Sequence, residues 1–520
     1  MKRGRARWLA PALCGVIALA SAAGWPARAP AQGVVPLPPF TLFGWLSPPP
    51  ESTTAQRIAE MAELGLNVLL PSQDPAGHAP EANLRRLDLA AQHNLQVLLF
   101  DERLGRAWRA GFLTAAGAAV LDSVVNTYRD HPGFLGWYLG DEPRPPYDTL
   151  AVLHRELQRR DPRHMTWNNL LGRMAFASEP AWRAYIDGYL DTMPARVLSD
   201  DHYEFLAGRD RNQFFVNAAG LRDLADQHGV PFWAIVQLTQ HTGYRALTSG
   251  ELRWQVSNLL AYGARGIGYF TYWTPSPDPQ WNWGPAIIGP DGHRTGTYDM
   301  LKAFHQRLRP AGELLAACRW ISTQATVPVP PGADPFVGDD WLAQVEGRAT
   351  IGRFVDHWGR PHLVIVNRDS LAEQPVSLII RGATGVTRLD GLHGPSTTQL
   401  GADPVPPYRL TLPAGDFALL RIEGTEGQAI ETLGPVMVVL SQPSRGVAQF
   451  DLMRVGAGAK LTIFDATGRA LWETTLLPGD RTASWNGIAG DGRRMPPGIY
   501  FAQLRDNRGT ATTRAVWLGP

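Results

Sequence analysis

The stretch His131-Pro132-Gly133-Phe134-Leu135-Gly136-Trp137-Tyr138-Leu139-Gly140-Asp141-Glu142-Pro143 decides the fold. Its apolar run, 134–139, has the unbroken character of a strand covered on both faces, and Gly140 stops it just before two acids and a proline. Working outward, seven further runs have the same character: 41–46, 67–71, 96–100, 165–170, 196–199, 231–237 and 267–273. Amphipathic stretches lie between them, such as 54–64, 83–92, 118–128, 149–159 and 251–262. Alternating strands and helices require parallel strands joined by right-handed crossovers. Eight such units within 40–316 fit a (β/α)8 barrel, the TIM-barrel architecture. The alternative, a doubly wound open sheet, usually carries a glycine-rich phosphate turn after its first strand, and Gly44-Trp45-Leu46-Ser47-Pro48 is not one.

Beyond the barrel the period switches to two. Leu363-Val364-Ile365-Val366, Val376-Ser377-Leu378-Ile379-Ile380 and Phe417-Ala418-Leu419-Leu420-Arg421-Ile422 read as short strands of a β-sandwich over 345–424, with the Pro-rich stretch 327–335 as a spacer before it. A second all-β module over 430–520 includes strands at 460–464, 483–485 and 499–504. The expected fold class is therefore α/β, a barrel followed by two small all-β sandwich domains.

The first residues read as an address. Lys2, Arg3, Arg5 and Arg7 precede an apolar run, 8–23, and Ala29-Pro30-Ala31 is a small-residue cleavage site, so 1–31 is expected to be a secretory signal peptide. No other stretch is long and apolar enough to span a bilayer. The chain has 49 basic and 48 acidic residues, a balance that excludes a nucleic-acid footprint. Its 2 cysteines exclude a disulfide scaffold and a multi-thiolate metal site.

In such a barrel, chemistry sits at the C-terminal strand ends. Those ends carry Asp101 after the third strand, Asp141 and Glu142 after the fourth, and Asn168 and Asn169 after the fifth. The sixth ends in Asp200, Asp201, His202 and Tyr203, the seventh in Gln237, and the eighth in Tyr272 and Trp273. Cleaving an acetal needs two carboxyl groups, one to protonate the leaving oxygen and one to stabilise or attack the oxocarbenium-like carbon. Aromatic faces cover sugar rings and amides bond hydroxyls. Glu142 is the expected proton donor and Asp201 its expected partner. Asp141, Trp45, Asp101, Asn168, Asn169, His202, Tyr203, Gln237, Tyr272 and Trp273 are the expected lining. An Asp-Glu neighbour pair also suits a substrate-assisted reaction, in which Asp141 orients a 2-acetamido group. His-x-His and His-Glu-x-x-His spacings are absent from the sequence, so neither a metal nor a cofactor is expected.

The run 131–143 resembles the fourth-strand segment of secreted barrel glycoside hydrolases, which place their acid/base Glu there. Leu198-Ser199-Asp200-Asp201-His202-Tyr203 is similar to a sixth-strand motif of that group. Glu251-Leu252-Arg253-Trp254-Gln255 and Gly268-Tyr269-Phe270-Thr271-Tyr272-Trp273-Thr274-Pro275 are similar to its last two units. The resemblance implies a secreted enzyme acting on an oligo- or polysaccharide. It also implies a nucleophilic Glu at the seventh strand end, where this chain has Gln237, so a catalytically inactive carbohydrate-binding barrel is the alternative. The stretches 461–469, 484–487 and 491–501 resemble a flagellar hook-cap Ig-like module, which implies contact with secretion machinery or the cell surface.

Overall fold

The computed structural model describes residues 33–519 apart from 340, 401–406, 425–435, 440–443, 454–457, 478–479, 481 and 507–508. The proposed signal peptide lies outside the described residues.

Eight parallel strands close a barrel: β1 Thr41–Gly44, β2 Val68–Leu69, β3 Gln96–Leu99, β4 Phe134–Asp141, β5 Met165–Leu171, β6 Leu198–His202, β7 Phe232–Gln237 and β8 Gly266–Phe270. They neighbour one another in chain order, and β8 pairs with β1 with Phe43 opposite Gly268. Period-two alternation separates two apolar layers. Phe43, Leu98, Leu135, Met165, Trp167, Trp233 and Ile235 fill the barrel interior. Leu42, Val97, Trp137, Leu198, Val236 and Ile267 face the surrounding helices. The interior is filled to contact: a Cβ on Gly268 would meet the Phe43 ring at 2.4 Å, so the bulk of one strand requires the glycine on its neighbour.

The end of β4 departs from a regular strand. Its register against β5 shifts between Tyr138 and Asp141, where Gly140 sits at φ +123° and Glu142 at φ +47°. A bulge re-aims the side chains that follow it. The Glu142 conformation is uncommon for a residue with a Cβ, and its N–H is held by the Asn169 carbonyl at 2.8 Å.

Two stacked sheets follow the barrel, one of seven strands and one of three, around Leu342, Ile351, Leu363, Ile365, Leu378, Leu420 and Ile422. The first strand of this unit is Arg319–Ala325, immediately after the long helix Gly296–Ala316. The Pro-rich segment is therefore not a spacer: Asp334–Pro335 pairs with Gln324 and Ala325 at the sheet edge, where a missing N–H is tolerated. The seven-stranded sheet packs on the barrel through Phe354, Val364, Val366, Phe417 and Leu419, in one cluster with Leu252, Val256 and Leu259 of the helix Ser249–Ala261. Arg307 locks the joint, bonding Asp416 at 2.8 Å and Asp390 at 2.6 Å. A further all-β unit has its own core of Phe450, Leu461, Trp485, Tyr500 and Trp517. Among the described residues no helix is long and apolar enough to cross a membrane.

Removing one member of a buried ion pair strands the other. Arg307→Ala is expected to destabilise the protein by about 3 kcal/mol, read as a lowered urea midpoint. An unchanged midpoint would show that the joint does not depend on this arginine.

Candidate functional site

The parity of β5 and β6 builds the site. Trp167 belongs to the barrel interior, so Asn169 also turns in; Val197 does too, so Ser199, Asp201 and Tyr203 follow it. Asp201 is buried, 5% exposed, and its carboxylate accepts a bond of 3.0 Å from the Asn169 amide nitrogen. The same nitrogen donates to Asp141 at 3.3 Å across the β4–β5 pair. Ser199 holds the amide from behind, its hydroxyl donating to the Asn169 oxygen at 3.0 Å, so the nitrogen faces both acids. The two bonded carboxyl oxygens are therefore no more than about 6 Å apart.

The electrostatics follow from this crowding. Asp141 is exposed at the end of β4, yet surrounding protein desolvates its carboxyl, and with the Glu142 charge this pushes its pKa up to about 8. Burial, and then the charges of Glu142, Asp141 and Asp200, raise Asp201 well above the usual carboxylate range. Glu142 thus lies within electrostatic reach of both aspartates. Neither aspartate forms an ion pair with a lysine or arginine among the described residues, so no cation opposes these shifts. The Tyr138 and Tyr203 phenols feel the same acids and stay neutral, chiefly through burial.

Aromatic rings wall the acids in. Trp45, half-buried, meets Tyr138 edge-on at 5.8 Å and Trp167 at 6.1 Å. Tyr203 contacts Phe270 at 5.4 Å, Tyr244 at 5.5 Å and His241 at 5.8 Å. Phe270, His241 and Tyr244 were not expected from the sequence. Phe270 ends β8 with the inward parity of Gly268, a signal that was available; the other two come from the loop after β7, whose course has no period to read.

Six expected lining residues have other duties. Asn168 has the opposite parity to Asn169: its amide donates to the Gly140 carbonyl at 2.9 Å and accepts from Tyr189 at 3.0 Å, fixing the β4 bend from outside. Asp101 is fully buried under Arg103, at 2.7 Å, and the Tyr128 hydroxyl, at 2.5 Å. His202 turns toward the helix Phe214–His228 and bonds Glu204 at 3.1 Å, and burial lowers its pKa. The Gln237 side chain bonds the Phe205 backbone at both N and O, 3.0 Å each, and the Arg245 carbonyl at 3.2 Å. Tyr272 is fully buried beyond the end of β8, with Tyr298 and Glu60 as its electrostatic neighbours, and Trp273 packs beneath the loop at Gly292. Asp200 points outward, buried and raised to about 7 by desolvation. Among the described residues no group of three or more His, Cys, Asp or Glu side chains is arranged to hold a metal ion.

No protein-family model matches the chain, and no curated protein does. Similar solved structures include a β-galactosidase from Bacillus circulans sp. alkalophilus, at 10% identity and TM-score 0.49, over 74% of this chain and 99% of that one. A glycoside hydrolase family 5 protein from Bacteroides vulgatus shares 12% identity at TM-score 0.47, over 75% and 90% of the two chains. A β-galactosidase from the psychrophilic Marinomonas ef1 shares 12% identity at TM-score 0.39; the match covers 54% of this chain and 62% of that one.

A raised folded-state pKa favours the protonated form, so Asp141 contributes most at low pH and loses that contribution as pH rises from 3.8 through about 8. Asp141→Asn is neutral at every pH. Its stability relative to wild type is expected to grow across that window and level off above it, read as urea midpoints against pH. A constant difference would show that Asp141 titrates normally.

Proposed function

We propose that the barrel is a glycoside hydrolase, with Glu142 and Asp201 as its acid–base pair. The observation that carries this reading is the convergence of Asp141, Glu142 and Asp201 on one aromatic-walled hollow, with two of the acids sharing the Asn169 amide. Burial, and then the charges of the neighbouring acids, raise both aspartates, so the cluster can hold a proton for a leaving oxygen near neutral pH. One carboxyl of the pair protonates the departing oxygen as the anomeric C–O bond breaks. The other, ionised, faces the oxocarbenium-like carbon, and water supplies the hydroxyl that completes hydrolysis while its proton returns to the first. Asp141, kept neutral beside them, is a further proton-bearing group for a substrate hydroxyl or amide.

A purely binding barrel would hold sugar without needing a raised carboxyl pKa. We read the N-terminal basic and apolar residues as an export signal, which places the substrate outside the cytoplasm, and the last all-β module as a spacer or sorting element.

Glu142→Gln and Asp201→Asn are each expected to lower sugar release from a polysaccharide panel by about 10²–10⁴-fold. Removing the Glu142 charge also lowers the Asp201 pKa, so the alkaline limb of residual Glu142→Gln activity should move to lower pH. Wild type that binds sugars and releases none would establish the binding-protein alternative.

A further inference from the structure

After β8 the chain runs through a long loop before its next helix, and that loop carries Trp281-Asn282-Trp283. The two indoles stack at 5.5 Å with only 13° between their planes, and both are half-buried. The turn between them explains how. Asn282 sits at φ +48°, a left-handed conformation that Asn adopts more readily than most residues, and this brings its two neighbours side by side. The shelf is anchored to the loop after β7. Thr242 donates its N–H to the Trp281 carbonyl at 2.7 Å and its hydroxyl to the Gln280 carbonyl at 2.6 Å. Gly284 donates to the Gln240 carbonyl at 2.8 Å and approaches so closely that a Cβ would meet Gln240 at 2.9 Å.

The shelf is continuous with the acidic hollow. Trp283 lies 5.4 Å from His241 and 6.0 Å from Phe270. Both of those rings contact Tyr203, whose phenol feels the charges of Asp201, Asp141 and Glu142. A row of rings therefore leads from the carboxyls to the rim on the β7–β8 side. A single sugar at the carboxyls would already be walled by Trp45, Tyr138, Tyr203 and Phe270 and would leave the outer pair of indoles unused. From this geometry we propose that Trp281 and Trp283 form an outer stacking platform, and that the ligand is an oligosaccharide chain whose units extend from the hollow across it. The inference rests on the glycoside hydrolase reading and adds the length and direction of the substrate.

The test is binding by the full chain carrying Glu142→Gln, which slows turnover, to cello-, xylo-, manno- and β-1,4-galacto-oligosaccharides from disaccharide to hexasaccharide. Calorimetry should show affinity rising with chain length in at least one series. Adding Trp281→Ala and Trp283→Ala should abolish that rise and weaken hexasaccharide binding by about tenfold or more. Trp281→Phe, which keeps a ring on the shelf, should restore part of the rise and shows that the loss is not misfolding. If chains bind and the double variant keeps the same length dependence, the platform is refuted while the hydrolase reading stands. If no series binds, the platform is refuted, and the hydrolase reading is decided separately by sugar release from the polysaccharide panel.

Discussion

One amide sets the character of the site. The Asn169 nitrogen donates to Asp141 and Asp201 at once, and Ser199 keeps it from flipping. A neutral donor can hold two carboxyls close without cancelling their charge. A lysine or arginine in its place would also draw them together, but it would pull both pKa values down and empty the site of protons near neutrality. The choice of an amide is thus what lets burial and mutual repulsion raise the acids, and raised acids are what proton transfer to a leaving group needs.

That arrangement depends on strand parity. A strand end that reads Asn168-Asn169 or Asp200-Asp201 offers two residues of like chemistry, and only one of each can face the axis. The eight strands were legible in the sequence because apolar runs and turn residues punctuate them. The barrel followed from their number and spacing. Which member of each polar pair turns inward was also encoded: Trp167 and Val197, both interior, set the count for everything after them. A reading that treats each strand end as a cluster misses this, and so places Asn168 and His202 in a hollow from which they turn away. Asp101 failed for a different reason. Arg103, two residues on, clamps it, and an acid so close to an arginine in sequence is a ready structural pair.

Other features were not legible because they depend on contacts between distant segments. His241 and Tyr244 reach the wall through a loop, and loop paths carry no period. The start of the sandwich was obscured by prolines at 327–335, which suggest a linker until the edge pairing of Pro335 is seen. The sandwich in turn bears on the barrel helix Ser249–Ala261, whose Gln255 bonds the backbone of Gln237 at both N and O. Packing on the outside of the barrel is thereby connected to the loops that form its mouth.

Gln237 shows why the seventh strand ends in an amide. Its nitrogen donates to two carbonyls, those of Phe205 and Arg245, while its oxygen accepts the Phe205 N–H. It ties the segment after β6 to the one after β7, and these carry Tyr203 on one side and His241 and Tyr244 on the other. An ionised glutamate at this place has no proton for either carbonyl. It would set a buried charge against two oxygens and loosen the aromatic wall. The carboxylate of the resemblance and the amide of this chain are therefore not interchangeable: here the seventh strand serves the shape of the hollow, and the charge is supplied from the fourth and sixth.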